Sequence, residues 1–426
     1  MMIDRSIQPE LKKIEALDIA EPEALKLDNG IPVFIFRSGN IDIIKVDIVF
    51  DAGVYYQPEP LVAGYTNKML REGSAGYTSF EISEKLDYYG AWLSLSANMD
   101  TAKISLSAPC KHIKHVLPLL AEMVNYPAFP EKELMIHSKK DKQTFIEDMG
   151  KVNEVAAMYF RRQLFGAQHP YGTIRIAEDY DNLTSEKLLA FHASRYLPSY
   201  CRMVISGNIN KNLPGLLNQY FGYKSSIKRS RATINSFEPE NEKKKKIIRM
   251  EGSVQSALRV GKIMVNNTHK DYLKIFISNV LLGGYFGSRL MKNIREDKGY
   301  TYGIYSVLTP FRHSGAFFIT SEVGADVCKK ALQEIYKELK KIRTEPVPNS
   351  ELDIVKKYLT GRLSRSFDGP FETANCFLSL LGSGLNFKKY YQNYIKTLNS
   401  ITPDEIMHTC NQYLHENSML ELIAGK

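Results

Sequence analysis

The sequence predicts an α+β chain of two homologous halves, each a mostly antiparallel sheet packed with helices. Three observations carry this prediction. LTSEKLLAFHASRYLPSYCRMVISG (183–207) is repeated as ITPDEIMHTCNQYLHENSMLELIAG (401–425), with Thr184 matching Thr402 and Ile205-Ser206-Gly207 matching Ile423-Ala424-Gly425. At the offset of the Thr184/Thr402 pair, PEKELMIHSKK (130–140) falls on PNSELDIVKKY (348–358), so Pro130, Glu133, Leu134 and Lys139 meet Pro348, Glu351, Leu352 and Lys357. Both halves also carry the same helix, glycine, hairpin order, at 86–109 and 294–323. A chain of 426 residues exceeds one ordinary core, so two repeated units are the natural reading.

The elements follow in chain order. NGIPVFIF (29–36) reads as a strand and DAGVYYQP (51–58) as a turn. LVAGYTNKMLREGS (61–74) reads as a short helix that stops at Gly73-Ser74. In LDYYGAWLSLSANMDTAKISLSAP (86–109), Leu93, Leu95 and Ala97, then Ile104, Leu106 and Ala108, alternate as in a half-buried hairpin. HPYG (169–172) is a turn signal, so His169 is expected to serve loop structure. Residues 183–207 and 401–425 each read as a capped helix followed by an apolar strand. Thr402-Pro403-Asp404-Glu405 is a capping box with proline at the first helical position. Residues 224–246 lack periodicity and end in Lys243-Lys244-Lys245-Lys246, so they read as a solvated linker. The expected units are residues 1–223 and 247–426, joined by 224–246.

Composition narrows the function classes. The chain is 44% hydrophobic and 24% charged, as in soluble globular proteins. No apolar run is long enough to span a membrane; YLKIFISNVLLGGYFG (272–287) carries Lys274 and Asn279 and reads as a buried helix. The N-terminal stretch has no secretory pattern, and the five cysteines (Cys110, Cys201, Cys328, Cys376, Cys410) are scattered. Together they lead us to expect reduced thiols and a cytoplasmic setting. The net charge of +9 lacks the aromatic interleaving or module of a nucleic-acid binder, so no nucleic-acid partner is expected. HExxH, HxxEH, GxSxG and a P-loop are absent, and GGYFG (283–287) does not follow a strand as a dinucleotide fingerprint would. His112 and His115 are three apart, but Lys111 and Lys114 crowd them with positive charge, which opposes a metal cation.

Two segments carry a family resemblance. LVAGYTNKMLREGS resembles the zinc-helix segment of the pitrilysin/insulinase (M16) metallopeptidases, where an inverted HxxEH motif holds the metal. Gly64 stands at the first zinc histidine, Asn67 at the glutamate base and Lys68 at the second histidine, while Ala63, Tyr65, Met69, Leu70, Gly73 and Ser74 keep the pattern. The family's third ligand is a later glutamate, and Glu147 and Asp148 lie near the expected place. A zinc site needs three protein ligands and an open position, so the resemblance implies the fold with its metal site erased. GGYFGSRLMKNIREDKGYTYGIYS (283–306) is similar to the family's C-terminal substrate-binding signature, whose arginine and tyrosine fall on Arg295 and Tyr302.

The resemblance implies an M16 peptidase-like (LuxS/MPP-like metallohydrolase) fold. It further implies a non-catalytic, substrate-binding subunit of a heterodimeric zinc peptidase, inactive alone. No metal or cofactor is expected on this chain. Zinc and the base would come from an HxxEH-bearing M16 partner of similar size, with a peptide as substrate and Arg295 and Tyr302 holding it. The alternative is a catalytically inactive peptide-binding or scaffold protein of the same fold.

Overall fold

A computed structural model describes residues 18–38, 41–223 and 244–426. The first sheet contains β1 (Glu23–Lys26), β2 (Pro32–Arg37), β3 (Ile43–Phe50), β4 (Trp92–Ala97), β5 (Ala102–Pro109) and β6 (Cys201–Gly207), in the order β1-β2-β6-β3-β5-β4. The second contains β7 (Lys245–Arg249), β8 (Gln255–Met264), β9 (Thr301–Pro310), β10 (Gly315–Gly324) and β11 (Leu420–Gly425), in the order β7-β11-β8-β10-β9. Apart from β1, the sheets correspond strand for strand. Each has one parallel pair, β2 with β6 and β7 with β11, and is otherwise antiparallel. β4 and β9 are equivalent edge strands.

The repeat marks equivalent local structure. Thr184 caps the Ser185–Arg195 helix by accepting from the Lys187 amide (3.3 Å). Thr402 does the same for Pro403–Tyr413, with Glu405 bonding back to the Thr402 amide (3.1 Å). Each cap satisfies donors that the first helical turn leaves free. The 86–109 hairpin forms as its alternation predicts, with Leu93 opposite Leu106 and Leu95 opposite Ile104. The 272–287 stretch is the buried helix Tyr272–Asn279, extended by a π-wound turn, Val280–Gly284.

One expectation fails at the end of the presumed linker. Residues 224–243 lie outside the described residues, but Lys245 and Lys246 are strand residues, paired with Glu421 and Leu422 of β11. Lys245 ion-pairs with Glu421 (3.2 Å), and the Lys246 ammonium lies over the Tyr159 ring (5.4 Å). The following Ile247-Ile248 supplies the strand propensity that a charge count alone overlooks.

Each sheet is also covered by a helix from the other half. Val152–Phe165 packs its Val155, Ala156 and Phe160 against Ala257, Ala316, Leu422 and Ala424 of the second sheet. Pro370–Leu380 joins Phe36 and Val204 of the first sheet through Ala374 and Leu380, with Phe377 against Phe34 (4.7 Å). These two helices follow the repeated segments 131–148 and 349–365, so they are equivalent elements exchanged between the halves. Alanines at the first contact let helix and sheet approach closely.

Candidate functional site

The Val62–Lys68 helix is anchored by its apolar face. Val62, Ala63, Tyr65, Met69 and Leu70 are buried in the first core. Its entry is tight: Leu61 has φ +72, a left-handed conformation that costs a non-glycine residue energy. The residues standing at the family's zinc positions each have a different fate. Gly64 is exposed and carries no donor, and a Cβ there would meet nothing within 4 Å. Asn67 is 1% exposed; its amide donates to the Lys103 carbonyl (3.3 Å) and accepts from the Tyr196 hydroxyl (3.3 Å). It is a structural clasp with no free lone pair aimed at solvent. Lys68 donates to Asp141 (2.6 Å), which also accepts from the Tyr65 hydroxyl (2.7 Å). Burial works to raise the Asp141 carboxyl, but Lys68 and Tyr65 outweigh it and hold it below the usual carboxylate range. Burial first, and then the hydrogen bond to Asp141 and its charge, push the Tyr65 phenol far up.

The carboxylate facing this helix is therefore Asp141, not the expected Glu147 or Asp148. All three lie on the Glu131–Asp148 helix. Asp141, Phe145 and Asp148 share the face that lines the cleft above Val62–Lys68, as i, i+4, i+7 spacing requires. Glu147 is off that face, exposed and bonded to Gln143 (3.1 Å). Helical phase was the available signal.

A zinc ion does not fit these residues. Of the three positions on the helix, one has no side chain, one is a buried amide already bonded on both ends, and one is an ammonium. The Lys68 ammonium already neutralises the Asp141 carboxylate and would repel a cation. Among the described residues, no group of three or more His, Cys, Asp or Glu could hold a metal. His112 and His115 flank Tyr89, with His115 stacked on its ring (5.0 Å, 3°). His169 is buried in the Pro170–Gly172 turn, where Nδ1 accepts from the Tyr171 amide (3.0 Å).

The second place of interest is the edge of the other sheet. Arg295 lies in the π-wound helix Met291–Asp297, and its guanidinium rests over the exposed Phe286 ring (4.6 Å). Tyr302 on β9 is 92% exposed. Neither side chain hydrogen-bonds to a described residue. Tyr302 sits at a bulge: Ser321 pairs with Ile304 and Val323 with Thr301, so Tyr302 and Gly303 together oppose Glu322. Bulges re-aim side chains. This one is pinned by Thr301, whose hydroxyl lies near the carbonyls of Glu322 (2.6 Å) and Gly303 (2.9 Å), the Gly303 amide (3.1 Å) and the Ser321 hydroxyl (3.0 Å). Gly283 is needed at its own position, because a Cβ there would lie 2.5 Å from the Ser306 amide nitrogen on β9. Sequence reasoning missed Thr301 and Phe286.

Residues 182–359 match the family model described as Peptidase M16 inactive domain. Over these residues the chain is similar to the peptidase M16 family. The matched segment contains Arg295 and Tyr302 but not the Val62–Lys68 helix. The chain is 21% identical over 407 residues to "Uncharacterized zinc protease YmxG" of Bacillus subtilis, covering 93% of this chain and 96% of that protein. Its fold is similar to the peptidase M16 inactive domain from Pseudomonas fluorescens, with TM-score 0.85 and 23% identity, over 96% of this chain and 98% of that one. It is also similar to the periplasmic protease PqqL from Escherichia coli, with TM-score 0.77 and 16% identity. That match covers 99% of this chain but 48% of PqqL, so this chain spans about half the length of that protein. Among the described residues, no helix is long and apolar enough to cross a membrane.

Proposed function

We propose that this chain is the non-catalytic, substrate-holding subunit of a two-chain M16 zinc peptidase. One contrast carries the reading. The zinc-helix replacements Asn67 and Lys68 are tied into the fold, whereas Arg295 and Tyr302 are presented outward from a pinned edge and hydrogen-bond to no described residue. A guanidinium and a phenol are donors suited to a carbonyl that gains negative charge during peptide cleavage. β9 is an edge strand, so an extended peptide can add along it through main-chain hydrogen bonds. The metal and the glutamate base belong to a partner chain bearing HxxEH. The half-length match to PqqL supports assembly from two chains of this size.

The test is affinity purification of the tagged chain from its native cells, with mass spectrometry of what accompanies it. We expect a stoichiometric M16 chain carrying HxxEH, and cleavage of a reporter peptide by the pair that is lost with Arg295→Ala. Zinc-dependent cleavage by the isolated chain, surviving that substitution, overturns the reading. Recovery of the chain alone or as a homodimer favours the inactive scaffold.

A further inference from the structure

The cleft above the Val62–Lys68 helix encloses about 540 Å³ and is lined by Gly64, Lys68, Asp141, Asp148, Arg161 and Arg175 among others. Because Gly64 has no side chain, the space directly over the helix stays open. The charges around the cleft sort into partnered and unpartnered groups. Asp141 is paired with Lys68 (2.6 Å), and Asp148 with Lys151 (2.8 Å). Arg161 and Arg175 have no acid partner among the described residues. The Arg161 Nη2 donates to the Thr173 carbonyl (3.3 Å), while its Nε is buried without an acceptor. Arg175 is exposed, and its guanidinium lies against the Phe145 ring (5.4 Å). Burial first, and then the charge of Arg175, pull the Arg161 guanidinium below its ordinary value.

Most other inward guanidiniums are matched by a carboxylate. Arg202 and Arg312 share Asp51, Arg289 pairs with Glu351, and Arg343 pairs with Glu416. Arg259 is the exception: it forms no ion pair among the described residues and instead donates to Asn153 and to the Leu258 carbonyl. A desolvated guanidinium without an anion is destabilising, and a second one nearby adds repulsion. The arrangement is compensated when an anion enters the cleft between them.

We propose that this cleft is a carboxylate-binding subsite for a peptide, with Arg161 and Arg175 as the donors. The inference rests on the substrate-holding role proposed above, and it specifies where and how an anionic group of the peptide is held. A guanidinium matches a carboxylate through paired N–H donors, which makes the contact selective for a planar anion. The carboxylate can come from an acidic side chain or from the peptide's C-terminus.

The experiment measures binding of three labelled peptides of equal length to the full chain by fluorescence anisotropy. One has acidic side chains and an amidated C-terminus, one is neutral with a free C-terminus, and one is neutral and amidated. At least one anionic peptide is expected to bind about tenfold more tightly than the neutral amidated one. The preference should vanish in Arg161→Gln and in Arg175→Gln; the second variant alters an exposed side chain and keeps the fold. The stronger of the two anionic peptides identifies the carboxylate's source. Equal binding of all three peptides, or a preference retained in both variants, overturns the subsite while leaving the substrate-holding role intact. No binding by any peptide overturns both.

Discussion

Lys68 balances the carboxylate that faces the Val62–Lys68 helix. Its ammonium and the Tyr65 hydroxyl converge on Asp141, so the local charge is balanced by a tethered cation. Lys68→Ala is expected to destabilise the fold by less than about 1 kcal/mol, since the pair is partly solvated. In the same variant the Asp141 carboxyl should move up towards its ordinary value, as carboxyl NMR titration would register. The sign follows from the depressed carboxyl: the pair's contribution is present above about pH 4 and lost as pH falls through the lower, folded-state value. Arg295 and Tyr302 should behave oppositely. Arg295→Ala and Tyr302→Phe should change unfolding free energy by no more than about 0.5–1 kcal/mol, because one rests only on an exposed ring and the other is solvated. Each should lower the activity of a complex with an HxxEH-bearing partner.

At the scale of an element, β9 is the part to perturb. Its bulge opposite Glu322 aims Tyr302 outward, and the Thr301 hydroxyl holds that bulge through backbone groups of both strands. Thr301→Val keeps a β-branched side chain suited to a strand but removes every one of those hydrogen bonds. A loss of about 1–2 kcal/mol in denaturant unfolding is expected. The proposed complex should also lose activity with this variant, although Thr301 is a positioning residue that meets no substrate. If Thr301→Val lowers stability but leaves activity unchanged, the bulge is merely structural. The bulge was not legible in GYTYGIYS, because it exists only in the register against β10. The Thr402–Glu405 capping box was legible, because both partners lie within one helical turn.

For the whole molecule, the contact between halves is held partly by charge. Arg312, on the β9–β10 turn, donates to Asp51 (2.7 Å) and to the Tyr56 hydroxyl (3.1 Å), and its amide donates to Asp100 (3.0 Å). Arg202 holds the other side of Asp51 (2.7 and 3.0 Å). Burial alone would raise the Asp51 carboxyl, but the two guanidiniums outweigh it and hold it below its usual range. Asp51→Asn should cost about 3–5 kcal/mol, because it leaves two inward guanidiniums without an anion. Acid should weaken the wild type in two stages, readable as a thermal-melting profile against pH. His169 and His313 lie beside this contact, and His313 stacks on Tyr55 (4.3 Å). Burial first, then His313 for His169, keeps both imidazoles below the ordinary histidine value. The unfolded chain therefore takes up their protons first, and stability declines as pH falls below about 6.5. The Asp51 contribution is lost in a second stage, as pH falls below about 4 towards its depressed folded value.

The sequence by itself determined the local and the periodic: the capped helices, the 86–109 hairpin, and a duplicated architecture visible in the Thr184/Thr402 and Pro130/Pro348 matches. These depend on neighbours a few residues apart, or on comparing the chain with itself. It also placed Gly64, Asn67 and Lys68 on one short helix, because their spacing is local. Only the tertiary structure decided that Asp141 closes on Lys68, since that depends on the phase of a distant helix. Only it decided that Val152–Phe165 and Pro370–Leu380 exchange sheets. An apolar helical face states that it will be buried, but not against which surface. That choice belongs to the shape and small side chains of the opposing sheet, where Ala257, Ala316 and Ala424 leave room for the helix to settle.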